Sequence, residues 1–264
     1  MVGPEEAPKR IDTSTPNHAR VYDYFLGGKT NYEADRLAAG RIARSAPDTP
    51  VLARELRQFL VRVVRTLSEA GIRQFIDIGT GIPTSPSVHE VARTVDPDAR
   101  VVYVDNDPVV VVHADALLAT DAGVAAVEGD LRKPEQILDD PAVRRLIDFG
   151  EPVGILCIAV FHLVADHEDP AGIVAAYRER MAPGSHLALV QFSADSDPEG
   201  IAAFNEIYAD SPVKVTFRER ERIRDLFDGF ELLPPGLVGI EEWRPERDHP
   251  RTRLKIAGGV GVKP

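Results

Sequence analysis

Short apolar runs alternate with helical patterns along most of the chain, and this alternation constrains the fold most strongly. Five runs have the length and the residue types of buried strands, at 75–78, 101–104, 124–127, 153–160 and 186–192. Consecutive parallel strands need a crossover between them, so we predict a helix after Asp107-Pro108 although the run 109–112 favours a strand by propensity. The sequence therefore predicts an α/β fold with a parallel sheet covered on both faces.

Residues 1–71 precede this pattern and show helical signals only. Two helices are predicted at 14–26 and 32–45, and a third begins at Thr49-Pro50. Its apolar residues recur at steps of four, three, four and four, as expected for an amphipathic helix: Leu52, Leu56, Phe59, Val63 and Leu67. We predict an N-terminal helical extension at 1–71 and a core domain at 72–264, in which 230–233 and 253–257 form the last strands. Either the extension covers a binding site as a lid, or it packs as ordinary structure.

A glycine-rich turn follows the first predicted strand. Gly79 and Gly81 flank Thr80, and they allow close approach of a ligand at the sheet edge where open α/β folds bind ligands. A dinucleotide fingerprint needs glycine or alanine at the position of Thr84, and the chain has no Tyr-x-x-x-Lys pair of a nicotinamide-dependent dehydrogenase. The pattern favours a nucleoside ligand without a pyrophosphate.

Carboxylates end the first three predicted strands. Asp77 precedes the glycines, where it can meet a cationic amino group. Asp105 lies 26 residues after Gly79, where a carboxylate can accept both hydroxyls of a ribose. Asp130 follows Gly129 after the third strand and can address an adenine edge. Each aspartate alone is typical of a turn or a helix cap, but the ordered set is far more specific.

These features resemble the class I S-adenosylmethionine-dependent methyltransferases. More narrowly, the chain resembles an actinobacterial family of S-adenosyl methyltransferases, first catalogued as a domain of unknown function. The resemblance covers nearly the whole chain. It rests on Ala19-Arg20-Val21-Tyr22-Asp23-Tyr24-Phe25-Leu26-Gly27-Gly28-Lys29 with the preceding 12–16, on Asp77-Ile78-Gly79-Thr80-Gly81, on Val102-Tyr103-Val104-Asp105-Asn106-Asp107-Pro108, on Gly129-Asp130, on Ala159-Val160 with His162, and on 183–185, 243–245 and 258–264.

The resemblance implies a Rossmann-like, seven-stranded, mostly parallel sheet with an antiparallel last strand, and S-adenosylmethionine as the cofactor. It also implies ten cofactor-binding residues: Asp77, Gly79, Thr80 and Gly81 on the methionine side, Asp105 and Asn106 at the ribose, Asp130 and Leu131 at the adenine, and Ala159 and Val160 beneath the sulfonium.

Two residues are candidates for catalysis. His162 follows the fourth strand and is the best general base there, since an imidazole titrates near neutral pH; the alternative is a histidine that shapes the pocket floor. Tyr22, in the first predicted helix, is the second candidate. The loop after the fourth strand lacks the Asn/Asp-Pro-Pro-aromatic motif, which argues against methylation of a nucleobase or an amide nitrogen. Cys157 lies in an apolar strand, as expected of a core residue. We predict no metal, because the spacing of His162, Asp166 and His167 is a weak ligand pattern.

Composition narrows the class of protein further. Lys and Arg number 31 against 42 Asp and Glu, so the net charge of −11 argues against nucleic-acid binding. The start of the chain has no apolar signal region, and the apolar stretch 153–165 is too short to span a bilayer. We expect a cytoplasmic enzyme with a small-molecule acceptor and no membrane partner, and a homo-oligomer is compatible with the sequence. The alternative is a non-catalytic sensor or partner-binding protein that binds the same cofactor.

Overall fold

The computed structural model describes residues 13–118, 121–207, 214–249 and 252–264. Within these ranges the strands are β1 (Gln74–Ile78), β2 (Arg100–Asp105), β3 (Val124–Glu128), β4 (Gly154–Cys157), β5 (His186–Phe192), β6 (Glu231–Leu232), β7 (Val238–Gly239) and β8 (Ile256–Val262). The α-helices are α1 (His18–Phe25), α2 (Glu33–Ser45), α3 (Thr49–Glu69), α4 (Val88–Arg93), α5 (Pro108–Leu118), α6 (Pro134–Leu138), α7 (Pro141–Leu146), α8 (Pro170–Arg180), α9 (Pro198–Ile207) and α10 (Arg220–Asp225), and short 3₁₀ helices cover Phe161–Leu163 and Asp166–Glu168.

One sheet forms the centre, in the order β3-β2-β1-β4-β5-β8-β6, and β7 also pairs with β8. Strands β1 to β5 are parallel, and β8 runs antiparallel to each of its neighbours. The predicted α/β fold with a mostly parallel sheet and an antiparallel last strand is confirmed. Two short strands, β6 and β7, share the seventh position, because Pro234, Pro235 and a turn closed by Gly236 interrupt the pairing.

The last strand differs from its sequence-based prediction at 253–257. It begins at Ile256 and continues to Val262, through three glycines that weaken a strand by propensity. These glycines permit close packing. A Cβ atom at Gly258 would lie 2.9 Å from Cγ2 of Ile240, and one at Gly261 would lie 2.7 Å from Cβ of Phe230.

The helix boundaries follow local hydrogen bonding. Helix α1 begins at His18 rather than near residue 14, because the Asn17 side chain accepts a 3.1 Å hydrogen bond from the Arg20 backbone and caps the helix. The predicted helices at 109–112 and from Thr49 are confirmed. Helix α10 begins at Arg220, and the backbone N–H of Arg218 just before it donates to the carbonyl of Phe192 at the end of β5.

Helix α3 packs on one face of the sheet. Its Phe59 is buried against Trp243, with ring centroids 5.6 Å apart, in a cluster that also contains Phe75 and Val260 from the sheet. A second cluster covers the other face and includes Leu138 and Tyr177. Helix α1 contacts α2 and α3 beside the carboxyl ends of the strands. None of the helices in the described ranges is long and apolar enough to cross a membrane.

Candidate functional site

A cavity of about 340 Å³ opens at the carboxyl ends of β1, β2, β3 and β4. Its walls include the glycine turn, the three strand-end acids, the segment after β4, and helices α1 and α3. All twelve residues predicted to bind the cofactor or to act in catalysis line this cavity: Asp77, Gly79, Thr80, Gly81, Asp105, Asn106, Asp130, Leu131, Ala159, Val160, His162 and Tyr22. Tyr22 and Val160, which are 138 positions apart along the chain, therefore lie in one site.

The glycine turn is shaped by two left-handed residues. Gly79 has a φ of +71° and Gly81 a φ of +64°, a region that glycine adopts without strain. A Cβ atom at Gly79 would lie 2.5 Å from Cγ2 of Val160, so the turn and the segment after β4 fit together only without a side chain there. The Gly79 N–H donates to the carbonyl of Val104 at 2.8 Å, which fixes the turn against β2.

Asp105 links the glycine turn to the end of β2. One carboxylate oxygen accepts a 2.9 Å hydrogen bond from the Gly81 N–H, and the other accepts one of 3.0 Å from the Asp107 N–H. Burial raises the pKa of Asp105 above its usual range. A carboxylate has about four lone-pair sites, so Asp105 is oriented by the protein and keeps acceptor capacity for a ligand.

Asp77 is buried at the end of β1. It accepts a 2.9 Å hydrogen bond from the Thr80 hydroxyl. Burial raises the pKa of Asp77 to about 6, against the hydrogen bond from Thr80 and the charge of Arg57, which lower it. A desolvated carboxylate of this kind gains most from a cationic ligand group.

Asp130 is the most accessible of the three acids. Its carboxylate accepts hydrogen bonds from the Arg132 backbone at 3.0 Å and from Nε of Arg132 at 2.8 Å, and Arg132 also pairs with Glu168 at 3.0 Å. Partial burial alone would raise the pKa of Asp130, but the bonds from Arg132 hold it below its usual range. This network fixes the loop after β3, where Leu131 also lines the cavity.

Arg57 was missed by the sequence reasoning. It lies on α3, lines the cavity, and donates hydrogen bonds through Nη2 to the carbonyls of Thr84 and Pro86. Its Nε is buried and has no hydrogen-bond partner among the described residues. The sequence carries no sufficient signal for it, because Arg54, Arg57, Arg62 and Arg65 are all on α3 and only the fold separates them.

Both catalytic candidates, Tyr22 and His162, are uncharged and do not titrate near neutral pH. The Tyr22 hydroxyl donates to the Ala53 carbonyl at 3.2 Å, and burial raises its pKa to about 12. His162 is buried, and burial lowers its pKa to about 3, assisted by the charges of His18 and Arg218. Its buried Nδ1 has no hydrogen-bond partner in the described part of the chain.

The remaining candidates do not form a further reactive centre. Cys157 is fully buried in β4, and burial raises the pKa of its thiol. Across the described ranges, no three His, Cys, Asp or Glu side chains lie close enough to hold a metal ion.

A partly buried polar network attaches α1 to the edge of the sheet that borders the cavity. The Asn17 side chain donates to the Asp107 carboxylate at 2.7 Å, and the Asn17 backbone donates to Asp35 at 2.9 Å. Arg20 pairs with Asp35 at 2.8 Å, and both side chains are buried, at 4% and 0% exposure. The N-terminal motif thus connects α1 and α2 with the loop after Asp105.

The fold is Rossmann-like, with the cavity at the carboxyl ends of the parallel strands, and known structures share this architecture. A putative methyltransferase from Thermobifida fusca YX is 40% identical, with 97% of this chain and 98% of that chain covered and a TM-score of 0.92. A DUF574 family protein from Streptomyces avermitilis MA-4680 is 41% identical, with 97% and 100% covered and a TM-score of 0.93. The N-methyltransferase NodS from Bradyrhizobium japonicum WM9, in complex with S-adenosyl-L-homocysteine, shares the fold at 12% identity, with 93% and 99% covered and a TM-score of 0.50.

The chain belongs to the S-adenosyl methyltransferase family, which matches residues 4–264. None of the curated proteins compared with the chain matches it. The predicted family, fold and cofactor, S-adenosylmethionine, are confirmed.

The residues at the cavity fit this cofactor. Gly79 lets the turn pack directly on Val160 at the cavity, and Asp105 has free acceptor sites for hydroxyl groups. Asp77 and Arg57 offer one buried carboxylate and one incompletely bonded guanidinium, the two charges that an amino acid group requires.

Proposed function

We propose that this protein is an enzyme that methylates a small-molecule acceptor in the cytoplasm, with S-adenosylmethionine as the methyl donor. The observation that carries this proposal is the convergence of the glycine turn, the three acids and both catalytic candidates on one cavity. The size of the cavity, about 340 Å³, lies within the range of small-molecule sites.

The chain's own residues would bind the cofactor by charge and hydrogen bonding. In this proposal Asp105 and Asn106 accept the ribose hydroxyls, and Asp130 and Leu131 contact the adenine. Asp77 pairs with the amino group of the methionine portion. Arg57 pairs with its carboxylate, because Arg57 lines the cavity and its positive charge acts on the neighbouring Asp77. Gly79, Thr80, Gly81, Ala159 and Val160 would provide the close backbone surface.

When bound, S-adenosylmethionine supplies an electrophilic methyl group: an acceptor lone pair would form a new bond to the methyl carbon while the C–S bond breaks and the sulfur leaves with its electron pair. The protein's contribution is then mainly orientation and exclusion of water. His162 would act as a neutral hydrogen-bonding group that orients the acceptor, because a pKa of about 3 makes the ring a weak proton acceptor. Tyr22, already bonded to Ala53, would hold α1 over the cavity.

The pKa of Asp77 predicts the pH dependence of cofactor binding. The ion pair between Asp77 and the amino group needs the ionised carboxylate. The affinity for the cofactor is therefore highest above the pKa of about 6 and falls as the pH decreases through that value. We expect the dissociation constant of S-adenosylhomocysteine to rise about tenfold per pH unit below that value. Calorimetric titration across this range checks the prediction.

Asp77→Asn provides the control for the pH experiment. The charges of Arg57 and Asp105 also act on Asp77 and remain in this variant, whereas Tyr22 is neutral at these pH values. We expect weak binding that no longer changes with pH near 6. An unaltered pH profile in the variant would assign the titration to another group and contradict the role of Asp77.

The extension at 1–71 is proposed to act on the core at 72–264 through α1 and α2, as a lid. Its first 12 residues lie outside the described ranges.

Asn17→Ala removes the hydrogen bond to Asp107 and one helix cap, and we expect a loss of about 1 kcal/mol in cofactor affinity. Asn31→Ala, which removes a bond to Asp23 within the extension, should leave affinity unchanged. Equal effects of both changes on calorimetric affinity would favour ordinary packing over a lid.

Two measurements test the enzyme proposal. Calorimetry should show binding of S-adenosylhomocysteine and none of NAD. Incubation with methyl-labelled S-adenosylmethionine and fractionated metabolite extracts should transfer label to a small molecule. Tight cofactor binding without transfer to any fraction would favour a non-catalytic sensor, and binding of NAD alone would overturn the assignment.

A further inference from the structure

The cavity divides into a charged half and an apolar half. The carboxylates that line it all lie at or just after the carboxyl ends of strands β1 to β3: Asp77, Asp105, Asp107 and Asp130. Other lining residues are apolar and come from α2, α3, α9, the end of β5, the segment before α10 and the start of β8. We call this second part the apolar chamber, and it is lined by Ile42, Leu52, Phe192, Phe204, Val215 and Ile256.

Aromatic rings form one side of the apolar chamber. Phe192 lies at the centre, with its ring centroid 4.7 Å from that of His162, 5.6 Å from that of Phe204 and 5.4 Å from that of Phe217. Phe192 is only partly buried although it is surrounded by this cluster, and it lines the cavity. Its remaining exposed surface is therefore available to a ligand, and aromatic rings favour edge-on or stacked contacts with another ring.

The polar groups at the chamber are neutral or already bonded. The Thr49 hydroxyl donates to the Ala46 carbonyl at 2.8 Å, and the Tyr22 hydroxyl donates to Ala53 at 3.2 Å. His162 remains uncharged at neutral pH because burial depresses its pKa. Among the described residues that line the chamber, none carries a carboxylate, and in the proposed binding mode the charge of Arg57 is paired with the carboxylate of the cofactor. A charged acceptor would lose its hydration there without gaining an opposite charge.

We infer that the acceptor is an uncharged molecule with a ring-sized apolar body, which packs against Phe192 and Phe204 and presents its nucleophilic atom beside His162. This inference rests on the proposed function and gives it a substrate class. Ammonium-bearing acceptors, carboxylates and phosphorylated compounds are disfavoured by the same arrangement, because the chamber offers no compensating charge.

The experiment uses the full chain saturated with S-adenosylhomocysteine and three probes of one shape, 2-naphthol, 2-naphthylmethylamine and 2-naphthoate. At neutral pH these are neutral, cationic and anionic. We expect calorimetry to give an affinity for the naphthol at least about tenfold higher than for either charged probe. Equal or tighter binding of a charged probe, or no binding of the naphthol, would overturn the inference.

Variants locate the binding within the chamber. Phe204→Glu places a carboxylate in the apolar wall and should reverse the preference toward the amine, with S-adenosylhomocysteine still bound. Leu37→Glu is the matched control, because Leu37 is 63% exposed on α2 and does not line the cavity; it should leave the preference unchanged. Phe192→Leu is a milder change that should weaken naphthol binding severalfold without loss of the cofactor analogue. If Phe192→Leu leaves naphthol affinity unchanged, the probe binds elsewhere and the inference fails.

The same titrations separate this inference from the proposed function. Failure of S-adenosylhomocysteine to bind the unmodified chain would overturn the cofactor site and the inference built on it. Normal binding of S-adenosylhomocysteine with no preference for the neutral probe would overturn the acceptor class alone.

Discussion

Asp105→Ala is expected to weaken the binding of S-adenosylhomocysteine by about 1–3 kcal/mol, through lost charge-assisted hydrogen bonds. The variant removes the proposed ribose acceptor and also leaves the Gly81 and Asp107 N–H groups without their present partner. The glycine turn would therefore lose an orienting contact at the same time as the ligand loses one. Calorimetric titration at neutral pH measures the change.

The control for Asp105→Ala must remove a negative charge without touching the cavity. Glu128→Ala does this, because Glu128 is exposed and pairs in register with Asp105 on the neighbouring strand β3. We expect its affinity to match that of the unmodified chain. If Asp105→Ala folds with an unchanged circular dichroism spectrum and binds normally, the ribose acceptor lies at another position.

The part of this site that can be predicted from the sequence follows from the order of strands and polar residues along the chain. Gly79, Asp105 and Asp130 follow consecutive parallel strands, and parallel strands bring their carboxyl ends to one edge. Strand order and spacing were therefore sufficient to predict that these residues lie together. Spacing alone predicts only a nucleoside ligand, and the family resemblance identifies that ligand as S-adenosylmethionine.

The unpredicted part depends on long-range packing. Arg57 reaches the cavity only because α3 lies across the sheet, and nothing in its neighbourhood along the chain distinguishes it from Arg54. The position of β8 was missed for a similar reason. Its glycines oppose a strand by local propensity, and the contacts that require them, with Ile240 and Phe230, come from other segments.

Arg218 illustrates this limit and carries the second large expected effect. The sequence places it in an alternating charged run that predicts a solvated helix face, yet the residue is buried before α10 begins. Its guanidinium donates to the carbonyls of Phe161 and Val164 at 3.1 and 2.6 Å, and to Oε1 of Gln191 at 3.1 Å. These bonds hold the segment that presents His162 to the cavity.

Arg218→Met should lower the free energy of unfolding by about 2–4 kcal/mol, because several buried acceptors lose their donor while the volume is roughly kept. Urea denaturation measures this loss. Binding of 2-naphthol to the folded variant, saturated with S-adenosylhomocysteine, should also weaken, since the position of His162 depends on the same bonds.

Asp166→Ala separates these carbonyl bonds from the ion pair. Asp166 accepts from Arg218 at 3.0 Å, but its side chain is 79% exposed whereas that of Arg218 is 4% exposed. Solvent screens the carboxylate, so its removal should cost no more than about 0.5 kcal/mol. Arg218→Lys keeps the charge but has no planar fork to reach three acceptors, and we expect it to restore only part of the stability. Equal losses in Arg218→Met and Asp166→Ala would show that the ion pair, and not the backbone of the segment after β4, accounts for the contribution of Arg218.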